Sequence, residues 1–148
     1  MPKKVRIQFE SRQEAEGDSA DISQILEGDR YDKDGDVYLR FEENVDGAGV
    51  VKSTMRIRMG SEPTTGGIRR GTSVHITRTG AVKTNMDFKP GQDTMCTYST
   101  PLGVLTFVIS TDQLEIVVEE DFVKVDISYD MYANGSQVSR NTMTMTAK

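Results

Sequence analysis

Apolar and polar residues alternate with a period of two along most of this chain, and that period belongs to strands with one buried face. Val5, Ile7 and Phe9 are interleaved with Arg6, Gln8 and Glu10, and Val37, Leu39 and Phe41 with Tyr38, Arg40 and Glu42. Val51, Ser53, Met55, Ile57 and Met59 share one face, with Lys52, Thr54, Arg56 and Arg58 on the other. Near the C-terminus the same pattern places Leu114, Ile116 and Val118 together, then Val123, Val125, Ile127, Tyr129 and Met131, then Ser139, Asn141, Met143, Met145 and Ala147. Residues 104–109 are apolar on both faces, which predicts the most buried strand, with Thr111-Asp112 turning the chain back. Residues 20–31 fit helical spacing (Ile22, Ile25, Leu26) and strand spacing (Ile22, Gln24, Leu26). A strand is predicted there, because Gly28 interrupts a helix and a hairpin follows.

Turn chemistry separates these runs. Asp34-Gly35 and Asn134-Gly135 are two-residue hairpin signals, since both central positions of a type I′ turn need positive φ. Between residues 73 and 109, Thr79-Gly80, Lys89-Pro90-Gly91 and Thr100-Pro101-Leu102-Gly103 punctuate a β-meander. Residues 60–71 show no periodicity and are predicted to form a flexible loop, the most mobile internal segment. Strands joined by short connections predict an all-β fold, a single antiparallel meander closed into a calycin- or lipocalin-like β-barrel of about 8–10 strands. Closure removes the exposed edges of such a sheet.

The chain has 148 residues, the size of one domain spanning 1–148. One cysteine, Cys96, excludes an internal disulfide, and a lone histidine, His75, leaves no Cys/His metal cluster. No cofactor is expected. The N-terminus enters a strand at once and has no apolar run of signal-peptide or membrane-spanning length, so a cytoplasmic location is expected. The net charge of −5 is unevenly spread: −6 over residues 1–51, +6 over 52–89 and −5 over 90–148. Basic strands paired with acidic neighbours account for this most simply.

The motif residues of the middle of the chain point further. Arg78-Thr79-Gly80, Met86, Phe88, Gly91, Tyr98-Ser99-Thr100-Pro101-Leu102-Gly103 and Thr111, preceded by Gly28, Tyr31, Val37-Tyr38-Leu39 and Glu42-Glu43, together resemble the YwiB-like family of small bacterial proteins. The resemblance spans nearly the whole chain and implies a calycin-like β-barrel of unknown function. The segment 60–71 looks longer than the family's usual connection. Lipocalins and fatty-acid-binding proteins share calycin-type barrels and bind apolar ligands inside, but this chain has no Trp to match the lipocalin signature.

Several constellations are weaker than they look. Asp32-Lys33-Asp34-Gly35-Asp36 with Glu43 resembles a calcium loop, but the sixth position is Val37 in place of Gly and strands flank it, so a solvated hairpin is expected. His75 lies out of phase with Val74 and Ile76 and is expected on the outside. Cys96 shares a face with Tyr98 and is expected to be buried and inert. Gly66-Gly67-Ile68-Arg69-Arg70-Gly71 lacks the Gly-Lys-Ser/Thr ending of a P-loop and is expected to be a loop. Met55, Met59, Met86, Met131, Met143 and Met145 fall at or near inward positions, as core filling or as the lining of a cavity.

One position carries more chemistry. Arg78 is the next residue in phase after Val74 and Ile76, so strict alternation aims a guanidinium into the barrel just before the Gly80 turn. A buried charge needs a carboxylate, carbonyls, water at the barrel mouth or an acidic ligand, and the weightier alternative is a bulge at the strand end that turns Arg78 to solvent or to a nearby acid. Tyr98, Tyr129, Ser139 and Asn141 are the polar residues expected to share that cavity. The leading expectation is therefore a non-enzymatic barrel whose partner is a small amphipathic or acidic ligand. Second comes a protein- or nucleic-acid-interaction module using Lys52, Arg56, Arg58, Arg69 and Arg70 on the basic strands of 52–89, and third an enzyme. Monomer and homodimer are both left open.

Overall fold

The structure, a computed structural model, describes residues 2–45, 49–60, 67–80 and 83–148. Ten strands follow one another: β1 (Lys3–Ala15), β2 (Asp18–Lys33), β3 (Asp36–Val45), β4 (Gly49–Met59), β5 (Arg69–Thr79), β6 (Lys83–Phe88), β7 (Asp93–Thr100), β8 (Gly103–Glu119), β9 (Phe122–Ala133) and β10 (Ser136–Ala147). Each pairs antiparallel with its neighbour in sequence, and β1 pairs with β10, so the meander closes into a barrel. No helix occurs among the described residues, so none there is long and apolar enough to cross a membrane.

The period-two readings hold. Val5 and Ile7; Val37, Leu39 and Phe41; Val51, Ser53, Met55 and Ile57; Val123, Val125, Ile127 and Met131; and Ser139, Asn141, Met145 and Ala147 are all buried. The ambiguous segment 20–31 is strand. Glu16-Gly17, Asp34-Gly35 and Asn134-Gly135 each have two positive φ angles, which fits tight hairpins whose twist matches the flanking strands. At Pro90-Gly91 the Gln92 N–H donates to the Lys89 carbonyl at 3.2 Å and Gly91 has φ 70°, as a type II turn requires.

Three readings are corrected. Thr111-Asp112 is not a turn: β8 runs straight through it with a bulge between Thr111 and Gln113, and the chain reverses at Glu120-Asp121. The strand read as most buried is exposed over Val104 and Leu105 and reaches full burial only at Ile109. Residues 69–71 belong to β5, with Gly60 N–H donating to the Arg70 carbonyl at 3.1 Å. The rest of that expected loop, 61–66, lies outside the described residues, as do 46–48 and 81–82.

The β5 correction matters most, because Arg69 and Arg70 pair directly with Val118 and Val117 of β8. Farther along, the β6–β7 hairpin is wedged between the same two strands. One end of the barrel is therefore ringed by eight strands and the other by ten. Barrel diameter grows with strand number, and eight strands leave an interior that side chains just fill. Phe88, Ile7, Leu39, Ile57, Val74, Ile116, Val118 and Val123 fill it, each 2% exposed or less. Arg30 seals this narrow end: it is buried, and its Nη1 donates to the carbonyls of Glu119 at 2.8 Å and Glu120 at 3.1 Å. Outside it, Lys3 reaches Asp121 at 2.9 Å.

Two glycines let the walls approach. A Cβ on Gly28 would lie 2.5 Å from the Arg40 carbonyl oxygen and 2.7 Å from Ile7 Cδ1. Gly28 and Phe41 are also the last β2–β3 pair, and beyond them the two strands part. Under this bend Phe9 meets Phe41, ring centroids 5.2 Å apart.

Where β5 meets β8, a Cβ on Gly71 would lie 2.7 Å from Ile116 Cγ2 and 2.9 Å from Ile116 Cβ. Gly71→Ala should therefore lower unfolding free energy by about 1–3 kcal/mol through overpacking. Urea denaturation measures this.

Candidate functional site

At the ten-strand end the inward face turns polar. Ser53 on β4, Arg78 on β5, Thr84 on β6 and Tyr98 on β7 lie directly opposite one another in successive ladders and so form one cross-strand row. The register is regular through Arg78, so no bulge turns it outward. Ser53 and Thr84, on either side of it, are buried. Arg78 itself is exposed: it keeps the inward phase and stands at the rim, where water reaches it, which is one of the two outcomes expected for this position. It makes no ion pair or side-chain hydrogen bond among the described residues.

Its charge nevertheless reaches the interior. Burial pushes the Cys96 thiol up to about 11, and Arg78 acts against that rise. Tyr98 is raised chiefly by burial and then by Cys96, again opposed by Arg78. Tyr129 is pushed up to about 12, first by burial and then by Tyr98 and Cys96, with Arg78 again opposing. Four side chains from β5, β7 and β9 thus form one electrostatic neighbourhood. The Tyr129 ring packs edge-on against Phe88 at 4.8 Å, and Tyr98 against Phe107 at 5.6 Å.

Tyr129 also joins this group to the remaining expected residues. It lies across the ladders from Asn141 on β10 and Thr111 on β8. Asn141 and Ser139 are buried, and Asn141 Nδ2 donates to Ser139 Oγ at 2.9 Å. All five residues read from the sequence lie on the inward face of this region. Sequence reasoning missed Ser53 and Thr84 as part of the row, although Ser53 stands out as the one hydroxyl in the run Val51-x-Ser53-x-Met55-x-Ile57. Thr111 was missed because its bulge reads as a turn. The buried hydroxyls of Ser53 and Thr111 have no hydrogen-bond partner among the described residues. Buried polar atoms rarely stay unpaired, so both sites call for water or a ligand.

The outer face is different in kind. His75 is on the outside as expected, its Nδ1 2.6 Å from Asp87 Oδ1. Arg56 binds Asp36 at 2.8 Å, which holds the Arg56 guanidinium in its charged form, and Lys52 approaches Glu42 at 3.9 Å. Tyr31 stacks on Tyr38 at 4.9 Å, with Arg40 and Arg56 over their rings. Two basic side chains of this surface, Lys52 and Arg56, are thus already engaged by acids, and Arg56 also by a ring. A groove of about 580 Å³ crosses this outer wall where β2 and β3 part, but its charges, among them Glu27, Asp29, Arg40, Glu42 and Lys52, are of both signs.

A family profile described as "Domain of unknown function (DUF1934)" matches residues 7–145. The chain belongs to this family. It is 28% identical over 142 residues to the uncharacterized beta-barrel protein YwiB of Bacillus subtilis (strain 168), covering 96% of this chain and 91% of the relative. The crystal structure of the ywiB protein from Bacillus subtilis superimposes with a TM-score of 0.81 at 26% identity, covering 99% of this chain and 92% of that one. DUF1934 membership and this match support the ten-strand all-β barrel. The family carries no assigned activity.

The raised interior groups have a measurable consequence. The fold holds Cys96 and Tyr129 neutral above the pH at which the unfolded chain ionises them, near 9 and 10. In that range the unfolded chain binds fewer protons, so stability is intact below about pH 9 and falls as pH rises toward about 12. Urea denaturation should show a loss of roughly 1.4 kcal/mol per pH unit for each group. Tyr129→Phe should remove its own share of the portion that begins near pH 10, leaving the share of Tyr98 and the earlier portion due to Cys96.

Proposed function

We propose that this protein is a non-enzymatic binding barrel that takes a small acidic or amphipathic ligand in its ten-strand end. The acid group would sit on Arg78, between Ser53 and Thr84. Tyr98, Tyr129 and Asn141, with Ser139 behind Asn141, would supply hydroxyl and amide contacts. Met86 and Met143, on the inward face, offer adaptable apolar surface for the remainder of the ligand.

The observation that carries this reading is the row Ser53–Arg78–Thr84: among the described residues, a guanidinium without a carboxylate beside a buried hydroxyl without a hydrogen bond. An arginine is the side chain best shaped to hold a carboxylate or phosphate through two parallel hydrogen bonds. Raised tyrosines keep their protons and so present neutral donors to an anion, not a repelling charge. A protein- or nucleic-acid-binding role for the outer strands has less support, because the Asp36 and Glu42 contacts already draw on Arg56 and Lys52.

Calorimetry with small carboxylates and fatty acids tests the proposal. Wild type should bind at least one of them, and Arg78→Met, close in length but uncharged, should weaken that binding about ten- to a hundredfold, as loss of a charged hydrogen bond does. Wild type that binds none, or a variant that binds equally well, contradicts it.

A further inference from the structure

Among the described residues, two segments of the sheet leave the barrel with a neighbour on one side only. Residues 18–27 of β2 pair with β1, but the ladder with β3 stops at Gly28. Residues 104–107 of β8 pair with β7, but the ladder with β9 begins only at Val108. A strand edge is a template for another strand, and proteins that stay apart guard such edges with charge. The β2 edge is guarded in this way by Asp18, Asp21 and Glu27. The β8 edge is not: residues 94–111 contain no charged side chain at all. Val104 is 66% exposed and Leu105 56%, and Met95 and Leu102 are exposed on the same hairpin.

We propose that a second copy of this chain covers the β8 edge, with the two β8 segments antiparallel across a two-fold axis. Laid against itself about Leu105, the segment places Val104 opposite Thr106 and Leu105 opposite its own symmetry mate. Such a contact is self-complementary and closes at two copies. Charge selects the occupant and the surface. Two molecules of net charge −5 repel on the whole, and pairing β2 with itself would bring Asp18, Asp21 and Glu27 together. The β7–β8 hairpin is where two copies meet with no such cost. An anionic membrane is a poorer fit, because the hairpin contributes no Lys or Arg to attract it.

Sedimentation of the full chain from low micromolar to sub-millimolar concentration tests this. Wild type should reach twice the 16.5 kDa chain mass. Thr106→Lys and Val104→Lys, both at exposed positions, should each raise the dimer dissociation constant about tenfold or more with the strand circular dichroism unchanged. Asp21→Lys, on the guarded edge, should leave the dimer intact. The proposal is overturned by wild type that stays monomeric throughout, by a dimer that survives in both lysine variants, or by one that Asp21→Lys disrupts. It is equally overturned by a monomer that instead cosediments with phosphatidylcholine–phosphatidylserine vesicles through Leu105, which would assign the hairpin to lipid.

Discussion

Everything distinctive about this barrel depends on the direct pairing of β5 with β8. Two backbone pairs, at Arg69 and Arg70, bring the walls together at one end, and a glycine at position 71 makes room for Ile116 behind them. Because the β6–β7 hairpin then has to enter from the other side, the sheet widens from eight strands to ten. The bulge at Thr111 belongs to the same arrangement: just there the tip of the hairpin docks, with Gly91 N–H donating to the Thr111 carbonyl at 3.2 Å, and beyond it β8 changes partner. A uniform barrel of either size would be packed throughout or open throughout.

The two ends consequently obey different rules. At the narrow end apolar side chains meet from all sides, and Arg30, the one buried cation among the described residues, is held by carbonyls at the β8–β9 turn. Leaving those donors unmatched would cost several kcal/mol, so the end is sealed as well as packed. At the wide end hydroxyls, an amide and a guanidinium join Phe9, Phe107 and Met143 in the same inward phase. Burial raises Cys96, Tyr98 and Tyr129, while Arg78 pulls all three the other way from the rim. Burial therefore dominates this neutral polar lining, and one rim cation acts against it.

Most of the fold is legible in the residues, because a period of two and a handful of positive-φ turns are local properties. Val37-x-Leu39-x-Phe41 and Asn134-Gly135 need no knowledge of the rest of the chain. The failures share a different cause. Thr111-Asp112 resembles a turn, and only the docking of a hairpin from elsewhere makes it a bulge. Leu105 looks like core, but it lies past the point where β9 stops pairing. Arg69 and Arg70 sit in an aperiodic stretch and become strand only because β8 is there to pair with them. The same distinction runs through the site: Arg78, Tyr98, Tyr129, Ser139 and Asn141 follow from phase, whereas the row joining Ser53, Arg78 and Thr84 follows from register between strands. The YwiB-like resemblance is borne out by DUF1934 membership, which by itself names no chemistry.

The central claim is that the wide end, through Arg78 and its tyrosine neighbours, is where this barrel meets its ligand. The chain has five tyrosines, and two of them, Tyr31 and Tyr38, stack on the outer wall as an internal control. Nuclear magnetic resonance of protein labelled at the tyrosine ζ-carbon, titrated with sodium octanoate as an amphipathic carboxylate, reads all of them at once. The account predicts that the Tyr98 and Tyr129 signals move with saturation while those of Tyr31 and Tyr38 stay in place. Movement confined to Tyr31 and Tyr38, or none at any tyrosine, would contradict it.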